Sequence, residues 1–588
     1  LLKVSPSFVS VAESHFDVDA KFMNIGKAIN RNIVVEVKRT YPNSVTEVIR
    51  RDTIPGIRYI DSLKYSIDIV PTRDKGLNKI SICVDADNVV DEQYETNNCI
   101  TKDVFIFEDE ARPVYPYPYA IINRQGITFK ASTANPFSIS RQYSMEVDTT
   151  ELFNSPMKVA RTVTSAGGLI EFAPGIVFQD SAVYYWRVGT VPSSGSPIWN
   201  TSSFVYLSGS DLGYNQSHYF QHKNSELNKL IYKEAGRNWV YDSSNHFIFS
   251  WNGVFLTATT QEGDLIVAPD GDSYIRSACV GFSLIFNVFD PKSFKPTQNL
   301  TGAYGSALPC APSRRWNFEW TYMNAASRRK IMDYMDSIPD GYFVIVRNIL
   351  NNTQTTGFVN DWKADTLLPG YGPGVSLDHK LKNIGFNVLD SFVSPRAMIF
   401  TYQKGNPGFE PISVISQGQY DLISLSRDLK VPDSLGNIAS PIFGPAKAWR
   451  SLKWKGSSDN APDNVLIDVV GITSDGTENI LFSGINETQQ DFDVSSVDAN
   501  VYPYIKLKMK TLDPVNLTPY QLRYWRLTYD PVPEGAIAPN IYFSSKDTVD
   551  VGEPFNYKVA FKNVSEVPFD SLKVKMVVTD RNNVPHVI

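Results

Sequence analysis

Hard oxygen donors gather at one place in this chain, the stretch Cys83-Val-Asp-Ala-Asp-Asn-Val-Val-Asp-Glu-Gln-Tyr-Glu-Thr-Asn-Asn98. Asp85, Asp87, Asn88, Asp91 and Glu92 are the residue types that ligate calcium. Their spacing is not that of an EF-hand loop. The same side chains can instead accept hydrogen bonds from loop backbone and hold a corner rigid. Backbone capping is the expected role, with Ca2+ as the lesser reading and no other cofactor.

The four cysteines form two local pairs, Cys83 with Cys99 and Cys279 with Cys310, and are disulfide candidates suited to an oxidising compartment. The alternative is four buried, reduced thiols. His218 and His222 lie four apart, but Gly213, Asn215 and Ser217 around them point to a loop, and no Glu or Cys completes a metal site. No nucleophile elbow, zinc-peptidase helix, phosphate loop or dinucleotide fingerprint occurs, so no catalytic residue is assigned. Asp333 and Asp336 read as a solvated helix face. Arg314, Arg315, Trp316 and Trp320 offer ring faces and cations, and the two tryptophans are ligand-contact candidates. Packing of both rings beneath a long loop is the competing reading.

These residues need elements to position them. At 588 residues the chain has room for three to five domains. A hydrophobic content of 42% with 20% charged residues describes ordinary folded domains, and the 12% aromatics suit many short strands. With a net charge of −6 and dispersed Lys and Arg, nucleic acid is not expected as a partner. No apolar run reaches the length of a membrane-spanning helix. Leu1-Leu-Lys-Val lacks a signal peptide and Asn583–Ile588 stops within a pattern, so a fragment is expected.

The expected fold class is mainly β: tandem sandwiches with one central mixed α/β module. Residues 1–108 alternate in short runs such as Phe16–Phe22 and Ile33–Lys38, the mark of an antiparallel sandwich. Pro113-Val-Tyr-Pro-Tyr-Pro-Tyr119 reads as a stiff linker opening a second sandwich, 113–207. The polar, aromatic stretch 208–235 reads as a linker. Within 236–436, Ser283–Phe289 and Tyr342–Val346 are buried strands. Ala325–Ser337 places Ile331, Tyr334, Met335 and Ile338 on one helix face, and a second helix runs from Leu377 to a cap at Gly385. Residues 440–532 alternate again, and 540–588 repeat the opening pattern of the chain.

Several of these stretches resemble known families. The acidic corner and its flanking strands resemble CARDB modules, small Ig-like domains of bacterial surface proteins. Residues 540–588 resemble the start of a second one. Ser181–Val188 with Trp199–Tyr206 is similar to the last strand pair of fibronectin type III domains. The strands and helices of 236–436, with an insertion at Asn299–Trp320, resemble an interleukin-like (ILEI) domain, which implies carbohydrate binding in some relatives. Leu522–Tyr529 is similar to the closing strand of a galactose-binding jelly roll. Asp followed by Ser or Thr and a small or aliphatic residue recurs more often than the roughly two or three copies expected from average usage. This resembles the O-glycosylation signal of exported Bacteroidota proteins and makes acceptor candidates of Thr53, Ser62, Thr149, Ser181, Thr366, Ser434, Thr548 and Ser571.

The order of modules resembles the region downstream of the peptidase in long-form, C25 gingipain-related sortase-like proteins of the type IX secretion system. The resemblance implies a non-catalytic scaffold or adhesion region on the extracellular face of the outer membrane, with other surface or secretion proteins as partners. An array of carbohydrate-binding modules is one alternative. An accessory arm of a cysteine peptidase whose catalytic domain lies outside this chain is another. In that family the Cys–His peptidase precedes such modules, so its activity passes to no residue here.

Overall fold

The structure is a computed structural model. It describes residues 2–6, 9–11, 13–28, 30–192, 196–253, 265–271, 275–276, 278–349, 358–459, 464–546, 548–565, 567–580 and 584–588. Among the described residues the fold is mainly β with one mixed α/β module, as the patterning requires.

In the first module every second residue of His15–Met23 and of Gly76–Cys83 turns inward, so each strand buries one face. Leu2–Ser5, His15–Met23 and Ile60–Asp68 form one sheet. Val9–Ser10, Cys99–Phe107, Gly76–Cys83, Asn32–Thr40 and Thr46–Pro55 form the other. The core between them holds Phe16, Val18, Val35, Ile80, Ile82 and Ile106. At its edge Arg39 and Asp74, both fully buried, pair at 3.0 Å, the arrangement a buried charge requires.

The second sandwich does not close on itself. Its sheet Val159–Ser165, Arg141–Asp148, Ala182–Thr190, Asn200–Tyr206 continues through Ala120–Ile122 and Gly213–Gln216 into Gln521–Pro531, Ala446–Ser457 and Asp491–Asp493. These nine strands make one sheet shared by two modules. The joining strand lies in the stretch expected as a linker. Its polar residues Asn215 and Gln216 are fully buried. Gln216 accepts from the Trp525 indole at 2.7 Å, and Asn215 accepts from Arg526 at 3.0 Å. A Cβ at Gly213 would lie 2.4 Å from the Leu527 carbonyl, so only glycine lets the two backbones approach.

The rest of that stretch also belongs to the last module. Glu226–Asn228 pairs with Leu435–Ala439 at the edge of a second sheet that continues through Tyr504–Leu512, Asn464–Ile472 and Glu478–Asn486. Trp239, from the hairpin Leu230–Lys233 and Asn238–Tyr241, joins Trp449, Trp454 and Trp525 in the core. This module is therefore built from residues 213–241 and 435–531, and the α/β module is inserted between them. The inserted chain enters along Ser243–Asn252 and leaves along Ile423–Pro432, which pair in antiparallel register over their whole length.

Inside the insertion, an antiparallel sheet runs Phe318–Thr321, Ser283–Phe289, Phe343–Ile349, Met398–Gln403, Ile412–Ile415. Helices Ala325–Ser337, Val359–Ala364 and Leu377–Asn383 cover one face, and the small sheet around Ser243–Asn252 packs on the other. Asn324 caps the long helix by accepting from Ser327 N at 2.9 Å, and Ile331, Tyr334, Met335 and Ile338 are buried. Residues 535–588 contain three two-stranded ribbons among the described residues. Ala538 and Val564 from this segment pack on Leu169 of the second sandwich.

Candidate functional site

The acidic corner spends its oxygens inside the protein. Asp85, at φ +51°, accepts from Val89 N at 3.0 Å and Val90 N at 2.8 Å. Asn88 is also left-handed, at the same φ. Asp87 pairs with Arg51 from the edge strand Thr46–Pro55. Glu92 and Glu95 both accept from the Asn98 amide, at 2.7 and 3.2 Å, and Glu95 also takes the Glu92 N–H at 2.8 Å. Asp91 is exposed. Among the described residues no three acids, histidines or cysteines converge on a point that could hold a metal ion. The corner braces two strands that a disulfide also joins: Cys83 and Cys99 sit directly opposite, with Cα atoms 4.0 Å apart.

Cys279 and Cys310 are joined as well, with Cα atoms 5.7 Å apart. Beside that bond the buried Glu319 accepts from Cys279 N, and burial pushes its carboxyl up to about 7. Trp316 and Trp320 do not share a surface. Trp320 is 3% exposed, packs on Phe286 and Tyr334, and donates its indole N–H to the Tyr304 carbonyl at 3.0 Å. A ring so enclosed has no face for a ligand, which corrects the expectation for that residue. Trp316 is half-buried under the Arg315 guanidinium, 4.6 Å from the ring centre.

Thr53, Ser62, Ser181, Thr548 and Ser571 are exposed, whereas Thr149, Thr366 and Ser434 are half-buried. Several of the aspartates in these motifs have structural roles: Asp180 accepts from Ser208 N and Asp433 from Lys229 and Ser244. Asp148, fully buried, accepts from Thr149 N and Ser155 N, and Asp365 forms a buried two-bond pair with Arg328. Asp333 and Asp336 pair with Arg329 and Lys380. His218 N-caps the short helix Tyr219–His222 and lies 3.2 Å from the Tyr185 hydroxyl. His222 is enclosed by Trp239, Trp525 and Tyr232, and burial pushes its pKa down to about 3. The two histidines therefore serve a packed joint, on a short helix where a loop is expected.

Reading the sequence missed a cavity of about 240 Å³ where the second sandwich, the last module and the C-terminal segment meet. Its walls include Tyr115, Tyr117, Tyr214, Pro445, Tyr529 and Glu534. The Tyr529 hydroxyl donates to Tyr117 at 2.6 Å, Tyr117 to the Gly213 carbonyl at 3.3 Å, and Tyr214 to the Gly444 carbonyl at 2.9 Å. Tyr214 stacks on Tyr529 with ring centres 5.2 Å apart and on Phe443 at 4.9 Å. Burial raises Tyr117, Tyr214 and Tyr529 above the usual phenol range, and the nearby Glu534 charge adds to the rise at Tyr214 and Tyr529. The alternate tyrosines of 115–119 were the available signal, since alternation sets residues on one side of an extended chain. Tyr214 and Tyr529 could not be linked to them from spacing.

Residues 3–102 match the CARDB family model. No curated protein matches the chain. Among solved structures, the CARDB domain of a Pyrococcus furiosus protein in complex with di-metal ions is 22% identical, covering 18% of this chain and 84% of that one, with a TM-score of 0.15. CBD12 from CALX1.2 and the calcium binding domain CBD12 of CALX1.1 are 11% and 9% identical over 35% of this chain and 99% of theirs, each with a TM-score of 0.16. At such superposition none of these ligands transfers to this chain. Residues 3–102 are thus the part of the chain that the CARDB family describes.

Proposed function

We propose that this chain is a non-catalytic, extracellular scaffold region at a Bacteroidota outer membrane that spaces and docks components of type IX secretion or surface assembly. The observation that carries the reading is the shared nine-stranded sheet. Two sandwiches fused through backbone pairing and buried side-chain bonds hold a fixed separation, which a flexible linker would not. The inserted module is tied to the same frame by its paired entry and exit strands. Two disulfides suit an oxidising exterior. The carbohydrate-binding alternative keeps only Trp316 of its two aromatic contacts.

The test is protease shaving of intact cells, followed by peptide mapping of the released protein without reduction. The expected result is release from the cell surface, with Cys83 linked to Cys99 and Cys279 to Cys310. Recovery only after lysis, with all four thiols free, would overturn the proposal.

A further inference from the structure

We infer that a second cleft, of about 360 Å³, binds an acidic sugar residue. The ligand is a uronate whose carboxylate pairs with Arg237 and Arg523 and whose hydroxyls bond Asp459, Asn238 and Ser457. The cleft lies in the last module, between the hairpin of Leu230–Lys233 with Asn238–Tyr241 and the paired strand ends around Ser457 and Gln521. Its volume falls within the ordinary range for ligand sites, roughly 300–1,000 Å³. Part of its wall is committed to the fold. The Gln521 amide is bound to both backbone groups of Trp239, and the Ser217 hydroxyl accepts from Asn215. The Tyr232 and Trp239 rings stack on each other with centres 4.2 Å apart.

What the cleft leaves open is polar and of mixed charge. The side chains of Arg237, Asn238, Ser457, Asp459 and Arg523 form no hydrogen bond or ion pair among the described residues. Tyr219 and Phe220 hold Arg237 by the plane of its guanidinium, 4.9 and 5.0 Å from their ring centres, which leaves the N–H edge to a ligand. The hairpin loop fixes Arg237 at φ +50°, a left-handed conformation rare for such a residue, and strain of this kind gathers at ligand sites. Two guanidiniums and one carboxylate select the charge of the ligand. A planar carboxylate meets the fork of an arginine with two bonds, whereas a phosphate dianion would bring a second charge up to Asp459. Asp459, Asn238 and Ser457 supply the acceptors and donors that sugar hydroxyls need. A neutral sugar would make no use of either cation. Glu234 of the same hairpin is exposed and stands outside the cleft.

This inference is independent of the scaffold proposal and of Trp316, and its test reads binding rather than location. The full chain is titrated by calorimetry with methyl β-D-glucuronide, with the neutral methyl β-D-glucoside and with inorganic phosphate. Saturable binding of the glucuronide is expected, on the order of ten-fold tighter than either of the others. Arg237→Gln and Arg523→Gln, both exposed changes, are each expected to weaken the glucuronide several-fold and leave the glucoside unchanged, with thermal melting confirming the fold. Phosphate binding as tightly as the glucuronide, equal affinity for the two sugars, no saturable glucuronide signal up to about 100 mM, or either arginine variant binding like wild type would overturn the inference.

Discussion

The CARDB module and the fused pair of sandwiches are both antiparallel β, yet they complete themselves differently. The first buries its core between two sheets drawn wholly from residues 2–107 and adds a disulfide across adjacent strands. The second draws its sheet from residues 120–216 and 446–531, and the bond between its halves is a four-residue strand of glycine, tyrosine, asparagine and glutamine. In one case local pairing closes the domain. In the other a short polar strand, buried and fully bonded, is what makes two modules one body. Buried polar side chains fix a unique geometry when every partner is present and are costly when one is lost.

That contrast can be broken most sharply at Trp525. Trp525→Ala empties a fully buried site at the joint and removes the bond to Gln216. A loss of about 3–5 kcal/mol is expected. Calorimetry should show the second and last modules melting together at lower temperature, with the CARDB transition unmoved. Separate shifts for the two sandwiches would mean that the shared sheet does not couple them.

Replacing Cys83 and Cys99 together by serine should act on the other side of the comparison. The loop they close spans 16 residues, so about 3 kcal/mol is expected to be lost from the CARDB module alone. Denaturant unfolding followed by module-specific proteolysis would read this out. A matching loss in the fused pair would refute the independence of the first module.

His222 distinguishes the two regions by pH. Its folded value, about 3, lies below the ordinary 6.5, because burial disfavours the imidazolium. The unfolded chain gains a proton that the folded joint refuses. Its contribution is therefore intact above pH 6.5 and falls by up to about 1.4 kcal/mol per unit between 6.5 and 3. His222→Leu should flatten the acid slope of the fused pair's melting temperature relative to wild type. An unchanged slope would show that the ring reaches water.

The smallest effect concerns the acidic corner. Asp85→Ala removes two bonds to loop backbone, and about 1 kcal/mol is expected to go from the CARDB module. Millimolar calcium, or its removal by chelation, should leave the melting temperature of that module where it was. A calcium-dependent rise lost in Asp85→Ala would turn the brace into a metal site.

Much of the fold was legible because its signals are local. Strand alternation in His15–Met23, the one-faced apolar spacing of Ala325–Ser337 and the glycine cap at Gly385 depend on neighbours a few residues away. The stretch 208–235 reads as a linker for a physical reason. Asn215, Gln216 and Gln221 look solvent-facing by type, and only partners about 300 residues away, such as Trp525 and Arg526, show that Asn215 and Gln216 are buried. Trp320 misled in the opposite sense: exposure is a property of the finished sheet and helix layer, and residue type does not carry it.

Residue patterns alone determined that this protein is mainly β, where its mixed module lies, and that an acidic corner braces its first sandwich, because periodicity and turn chemistry act over short distances. Tertiary structure alone decided that the last sandwich is interrupted by the α/β module, that two sandwiches share one sheet, and that four tyrosines from distant stretches line one cavity. Hydrogen bonds between strands are indifferent to sequence separation, so nothing along the chain marks which edges will meet.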